Sequence, residues 1–250
     1  AGPSVQDVLS SLEEVPIVCT SATLSVGGVF DFWERETGIS PEERVCLGSP
    51  FDLPSQMSIW VVELGLKVTE RGYDEMAGRV IERLCDDNGG RTLVVCSSRR
   101  LVKAVSTRMK GKQRDFRVLC QGEAPKGELL NLFRNDETSV LIGSLSFREG
   151  IDIPGEGLTQ VILDRIPFPH PEDPLVRARR DLEGSRTFIQ SILPMSRLFL
   201  RQAFGRLIRR KTDIGRVVIL DGRALDRPDW GILQDFQGVS LRRIRLAHMP

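Results

Sequence analysis

Gln202, Gly205, Arg206 and Arg209 fall within RQAFGRLIRR (201–210), a stretch with four arginines whose other positions are mostly apolar. A guanidinium is permanently charged and presents a planar fork of donors that matches the oxygens of a phosphate. Read as a helix, this spacing puts Gln202, Arg206 and Arg209 on one face, and Gly205 lets a ligand come close to the backbone. Such a face could read the terminal phosphate of a nucleotide, with one arginine stabilising the charge that develops during phosphoryl transfer. The same pattern also fits an amphipathic helix that shows arginines to solvent.

Other candidates follow short apolar runs. SFREGIDIPGEG (146–157) comes after SVLIGS (139–144) and holds Glu149, Gly150 and Asp152. Its carboxylates suit a ribose hydroxyl, a backbone amide or an arginine. TSATLS (20–25) offers Thr20, Ser21 and Thr23, which could bridge a catalytic carboxylate, bind phosphate oxygens or simply cap a helix. CSSRRLV (96–102) places Ser97 and Ser98 where a strand ends and a helix starts, a position suited to a phosphate. DRIPFPHPEDP (164–174) has four prolines and must be an ordered, extended connection. Its His170 has no partner histidine or cysteine cluster nearby and reads as a loop residue.

These segments need elements to hold them. RTLVVCS (91–97), FRVLC (116–120), SVLIGS, TQVILDR (159–165) and GRVVIL (215–220) are short, β-branched and apolar, as strands buried on both faces are. VPIVCT (15–20) reads as a further strand, and SQMSIWVVE (55–63) alternates enough to be an edge strand. Helical patterns over 73–90, 97–111, 125–135 and 194–210 lie between the runs, with caps and glycines at their ends. The alternation predicts an α/β fold, a parallel sheet covered by helices on both faces.

Composition bounds the rest. The chain has 250 residues, with 40% hydrophobic and 28% charged residues, an ordinary globular balance. No apolar run approaches the ~18 residues of a membrane span. The net charge of +1 hides an asymmetry. Residues 176–250 carry sixteen basic and seven acidic residues, so the remainder is acidic overall. Five cysteines match no zinc-binding spacing, and Cys19 and Cys96 are expected as buried free thiols in a reducing cytoplasm. One Tyr and three Trp leave little for stacking on many bases. The opening AGPSVQDVLSSLEEV reads as an interior passage rather than a natural beginning.

The order of the motifs resembles the C-terminal half of superfamily 2 DNA helicases of the DinG/XPD type, over roughly residues 15–225. The resemblance rests on TSATL, CSS, LCQG (119–122), SFREGIDIPG, RIPFPHPEDP and QAFGRLIRR in sequence. It implies a RecA-like second motor domain over 25–240, the end of the first over 1–24 and a tail over 241–250. By that resemblance, Thr20, Ser21 and Thr23 couple the ATP state to the grip on DNA. Glu149, Gly150, Asp152, Gln202, Gly205, Arg206 and Arg209 face the nucleotide, with Gln202, Arg206 and Arg209 serving catalysis and Arg209 as the arginine finger. Ser97, Ser98, Arg99, Ser144, Ser146 and Arg165 would touch DNA. Arg148 departs from the pattern, where the family often carries an aromatic residue.

The phosphate loop and the magnesium-holding acidic box of such motors have no counterpart here. ATP and Mg2+ would be held mainly by a first domain outside this chain, and any iron–sulfur cluster would also lie there. The expectation is a monomeric, cytoplasmic, nucleoid-associated motor half, away from membranes. It would act 5′ to 3′ on single-stranded or forked DNA and would not hydrolyse ATP alone. A non-catalytic RecA-like binding module is a second reading, and a metabolic α/β enzyme with an arginine phosphate site a third. The third lacks a glycine-rich cradle and a paired nucleophile and base, and a nuclease would need a carboxylate cluster.

Overall fold

Thr92–Cys96 (β2) is buried at all five positions, as a strand with neighbours on both sides and helices on both faces must be. The structure is a computed structural model that describes Asp7 and residues 16–148 and 157–246. It confirms the α/β expectation. β2 lies inside a seven-stranded sheet with Met57–Glu63 (β1), Val118–Cys120 (β3), Val140–Ser144 (β4), Gln160–Leu163 (β5), Gly215–Ile219 (β6) and Ser240–Arg245 (β7). The order is β3-β4-β2-β5-β6-β1-β7, and every pairing is parallel.

Two helices cover one face. Tyr73–Asp87 (α3) buries Ala77, Val80, Ile81, Leu84 and Cys85, and Arg99–Lys110 (α4) buries Leu101, Val102, Val105 and Met109. Both sets follow the spacing of one helical stripe. Each fully buried Leu or Ile contributes about 2 kcal/mol to holding its helix on the sheet. Lys126–Asn135 (α5) buries Leu129, Leu130 and Phe133.

Several expectations are corrected. Among the described residues, 16–20 of VPIVCT form no strand: Ile17 is 45% and Val18 87% exposed, and Cys19 is exposed as well. A strand-forming composition is not enough without a neighbour to take up the backbone groups. Cys96 is buried as expected, with Cys85 and Cys120. SQMSIWVVE is not an edge, because β1 sits between β6 and β7. Its alternation arises at Trp60, whose ring carries the guanidiniums of Arg216 at 4.4 Å and Arg242 at 5.8 Å. The stretch from 241, expected as a tail, supplies most of β7.

By contacts the described chain divides into two compact units, one of residues 16–49 and 168–201 and one of residues 50–167 and 202–246. The second holds the whole sheet. The first contains Asp31–Thr37 (α1) and Pro174–Glu183 (α6), and Leu193–Phe204 (α7) runs from it into the second. Within the first, Arg179 pairs with Glu36, and Arg201 Nη1 donates to the Ser25 carbonyl at 3.0 Å.

One ion cluster ties α3 and α4 together. Glu82, nearly buried, meets Arg108 at 2.5 Å, Lys112 at 2.8 Å and Arg114 at 2.7 Å. Burial alone would raise the Glu82 carboxyl, but hydrogen bonds from Lys112, Arg108 and Arg114 more than offset this and hold it below the usual range. The stabilisation is therefore present above the unfolded value of about 4.3 and is lost as pH falls through the lower folded value. Glu82→Gln is expected to cost about 2–3 kcal/mol at pH 7, because it leaves buried Arg114 short of a partner. Denaturant melts of both proteins check this, and the difference should shrink below about pH 4.

Candidate nucleotide and nucleic-acid interface

The loops after β2, β4, β5 and β6 converge at the C-terminal ends of the strands, where open parallel sheets place ligands. Asp164, 1% exposed, organises them. Its carboxylate accepts from the Ser97 amide at 2.7 Å, the Ser97 hydroxyl at 2.6 Å and Arg165 Nε at 2.9 Å. Burial pushes this carboxyl above its ordinary value, against the pull of Arg165 and Ser97. The Tyr73 hydroxyl donates to the carbonyls of Asp164 (2.5 Å) and Leu220 (3.1 Å), latching the ends of β5 and β6. Asp221 accepts from the Ile166 amide at 3.1 Å and from Arg223.

A hollow of about 340 Å³ opens beside this edge, lined by Arg99, Gln121, Gly122, Lys126, Ser146 and Phe147 among others. Gln121 Oε1 accepts from the Ser144 amide at 2.7 Å, the hydroxyls of Ser144 and Ser146 lie 3.1 Å apart, and Lys126 Nζ donates to the Ser146 carbonyl at 2.7 Å. Gly143 lets this turn form, because a Cβ there would meet the Phe147 ring at 2.6 Å. Arg99 is exposed and makes no ion pair among the described residues. Two cations, a hydroxyl and an amide side chain lining one hollow, with the Ser144 hydroxyl 3.1 Å from that of Ser146, suit a phosphodiester.

The arginine motif is built differently from the expected helix face. α7 ends at Phe204, and residues 205–207 form a turn, so Arg206 and Arg209 do not project from a helix. The Asp213 carboxylate takes the amides of Arg209 and Arg210 at 2.8 Å each, and Gln56 Nε2 donates to the carbonyls of Arg210 (2.8 Å) and Asp213 (2.9 Å). A side chain that offers the backbone these bonds competes with continuing the helix, and Gly205 weakens the helix at that point. Phe204, Leu207 and Ile208 are buried and anchor the turn, while Gln202, Arg206 and Arg209 remain partly accessible. The turn immediately precedes β6, and Gln56 immediately precedes β1. It therefore lies at the N-terminal ends of these strands, opposite the basic hollow.

The structure thus brings Ser97, Arg99, Ser144, Ser146 and Arg165 to one edge and Gln202, Gly205, Arg206 and Arg209 to the other. Two serines are engaged locally: the Ser97 hydroxyl serves Asp164, and Ser98 caps α4 by accepting from the Leu101 amide at 3.2 Å. Glu149, Gly150 and Asp152 lie outside the described residues. Thr20, Ser21 and Thr23 lie in the first unit, where the hydroxyls of Ser21 and Thr23 are 3.1 Å apart. Sequence reasoning missed Tyr73, Asp164, Asp213, Asp221, Gln56 and Lys126. Asp164 lies within DRIPFPHPEDP, Asp213 and Asp221 have partners within four residues, and Tyr73, Gln56 and Lys126 carry no local signal because their partners are remote in sequence.

The arginine turn fits a nucleotide phosphate by its donor chemistry. A metal ion fits poorly, since no three His, Cys, Asp or Glu among the described residues are grouped to hold one. Cys85, Cys96 and Cys120 are buried, and burial pushes their thiols upward.

The all-parallel seven-stranded sheet is that of a RecA-like helicase domain. A solved XPD helicase structure superposes with a TM-score of 0.67 over 95% of this chain and 44% of that one, at 20% identity. The chain belongs to the helicase C-terminal domain family, whose model matches residues 81–235. It is 34% identical to the ATP-dependent DNA helicase YoaA of Haemophilus influenzae over 86% of this chain and 34% of that protein. It is 37% identical to the ATP-dependent helicase DinG of Mycobacterium tuberculosis (strain H37Rv) over 82% of this chain and 32% of that protein. The chain therefore spans about one-third of the length of these relatives. No helix of the described residues is long and apolar enough to cross a membrane.

Proposed function

We propose that this chain is the second motor domain of an ATP-dependent DNA helicase, with residues 1–24 belonging to the end of the first. The observation that carries the reading is the placement of a basic, hydroxyl-lined hollow and a clamped arginine turn at opposite ends of one parallel sheet. The hollow, with Arg99, Lys126, Ser144 and Ser146, grips the backbone of single-stranded or forked DNA, and Ser97, Ser98 and Arg165 support its walls. Gln202 and Arg206 contact the ATP phosphates, and Arg209 stabilises the charge that develops on the transferred phosphoryl group. Bound ATP with Mg2+ supplies the phosphoryl transfer, and a first domain outside this chain holds most of it. By the family resemblance, Glu149, Gly150 and Asp152 contact the nucleotide, and Thr20, Ser21 and Thr23 couple the nucleotide state to DNA. The motor moves 5′ to 3′ as a monomer in the cytoplasm, on the bacterial nucleoid, and this chain alone turns over no ATP.

The test is single-stranded DNA binding by the full-length protein across a salt series. Each of Lys126→Ala and Arg99→Ala should weaken binding alike for all sequences. Each should also reduce the slope of log affinity against log salt by about 0.7, the value for one released counterion on a single strand. An unchanged slope in both variants would remove the hollow from the DNA path.

A further inference from the structure

The first compact unit holds a hollow that no part of the motor reading uses. It measures about 570 Å³ and is lined by Phe168, Pro169, Val176, Arg180, Phe188 and Ile192 among others. The volume is that of a small-molecule pocket, ~300–1,000 Å³. The rings of Phe168 and Phe188 lie 5.6 Å apart at 53° and form two apolar walls.

The backbone presents Phe188 for a specific reason. Phe188–Ile192 is a π-helical turn directly before α7, and the Leu193 amide donates to the Phe188 carbonyl five residues back. Pro194 follows, has no amide hydrogen and crowds the carbonyl of Gln190, four residues earlier. That carbonyl is taken instead by Arg35 Nη2 at 2.5 Å. The extra residue turns Phe188 by about 100° relative to α7, and such insertions recur at functional sites.

Charge adds a second observation. Arg177 and Arg179 on α6 pair with Glu172 and Glu36, whereas Arg180 and Arg186 are exposed and make no ion pair among the described residues. Arg180 lines the hollow, and Arg186 neighbours Ser185, which lines it too. An apolar floor with two rings and an unspent guanidinium at the rim matches a nucleotide better than an apolar peptide, which would leave the cation unused. Base–aromatic stacking is tolerant of sequence, as a motor's contacts must be.

We propose that this hollow takes one nucleobase of single-stranded nucleic acid, stacked against Phe188 and Phe168, with Arg180 on the adjoining phosphodiester. The proposal rests on the reading of the chain as part of a nucleic-acid motor. It adds a single base-stacking subsite built from phenylalanine, apart from the backbone hollow of the sheet unit.

The experiment compares binding of the full-length protein to a single-stranded oligodeoxynucleotide and to the same backbone with abasic sites. The native protein should prefer the base-bearing strand by about tenfold, within the range for one stacked base. Phe188→Ala should erase most of that preference. Arg180→Gln should weaken both strands by roughly two- to threefold, as loss of one phosphate contact does, and leave the preference intact. Folded Phe188→Ala that keeps the full preference overturns the subsite while the motor reading stands. Native protein that binds neither strand removes the motor reading and the proposal with it. If Phe188→Ala does not fold, photocrosslinking of a 5-iodouracil oligonucleotide to native protein decides. Adducts in the peptide spanning 168–192 support the subsite, and adducts confined to other peptides overturn it.

Discussion

Arg209→Ala in the full-length protein is expected to lower DNA-stimulated ATP turnover by about a thousandfold or more, as loss of an arginine finger does. ATP binding should change only a few-fold, because the interaction matters chiefly once charge develops on the transferred group. The geometry explains why so large an effect can hang on one side chain. Asp213 holds the amides of Arg209 and Arg210, and Gln56 holds the carbonyls of Arg210 and Asp213, so the backbone that carries the guanidinium is fixed. A preorganised donor costs little reorganisation when the reaction occurs. Arg209→Lys should not rescue turnover, because a point charge cannot bridge two phosphoryl oxygens as the planar fork does. Turnover equal to the native protein would take Arg209 out of this role. A collapse in Arg206→Ala alone would transfer the role to Arg206.

The largest stability effect is expected at Gly90. Its φ is +77°, and a Cβ there would stand 1.7 Å from the Thr138 carbonyl oxygen and 3.0 Å from the Phe116 Cβ. The Thr138 carbonyl cannot withdraw easily, because it accepts the Arg91 amide at 3.2 Å just before β2 and β4 come into register. Gly90→Ala should therefore cost at least about 3 kcal/mol and lower the melting temperature by roughly 6–12 °C, if the protein folds at all. Gly65 provides the control, with a φ of +71° and nothing within 4 Å of its would-be Cβ. Gly65→Ala should show the backbone strain alone, about 1–2 kcal/mol. Equal melting of the two variants would mean that the clash relaxes and that strain is the whole effect.

Much of the architecture was legible because local patterns and the fold agree. The runs around 92–96, 140–144, 160–163 and 215–219 are mainly apolar, as strands buried on both faces are. The stripe of Ala77, Val80, Ile81, Leu84 and Cys85 announces the inner face of α3. β7 was hidden for the opposite reason. Its sequence, SLRRIR, is polar because its arginines pair with Glu63 and Asp226 or cover Trp60, so a strand in the sheet looks like a solvated tail. The run at 15–20 erred the other way: its composition suits a strand, and no described strand pairs with it.

The sequence by itself determined the residue types of both phosphate-suited edges and the parallel α/β sheet that carries them. Gln202, Gly205, Arg206, Arg209 and Ser97 stand out by motif and spacing, and Arg99, Ser144 and Ser146 through the family resemblance. Only the tertiary structure decided how they are held. It ended α7 at Phe204 and handed Arg209 to a turn, because Asp213 and Gln56 offer that backbone better partners than another helical turn would. It gave Asp164 to Ser97, Tyr73 to the ends of β5 and β6, and Pro194 the π-turn that sets Phe188 beside Phe168. The physical reason is that periodicity and propensity report contacts within about one helical turn. Asp164 lies 67 residues from Ser97, and Gln56 lies 157 residues from Asp213. Such contacts exist only once the sheet has brought the ends of its strands together.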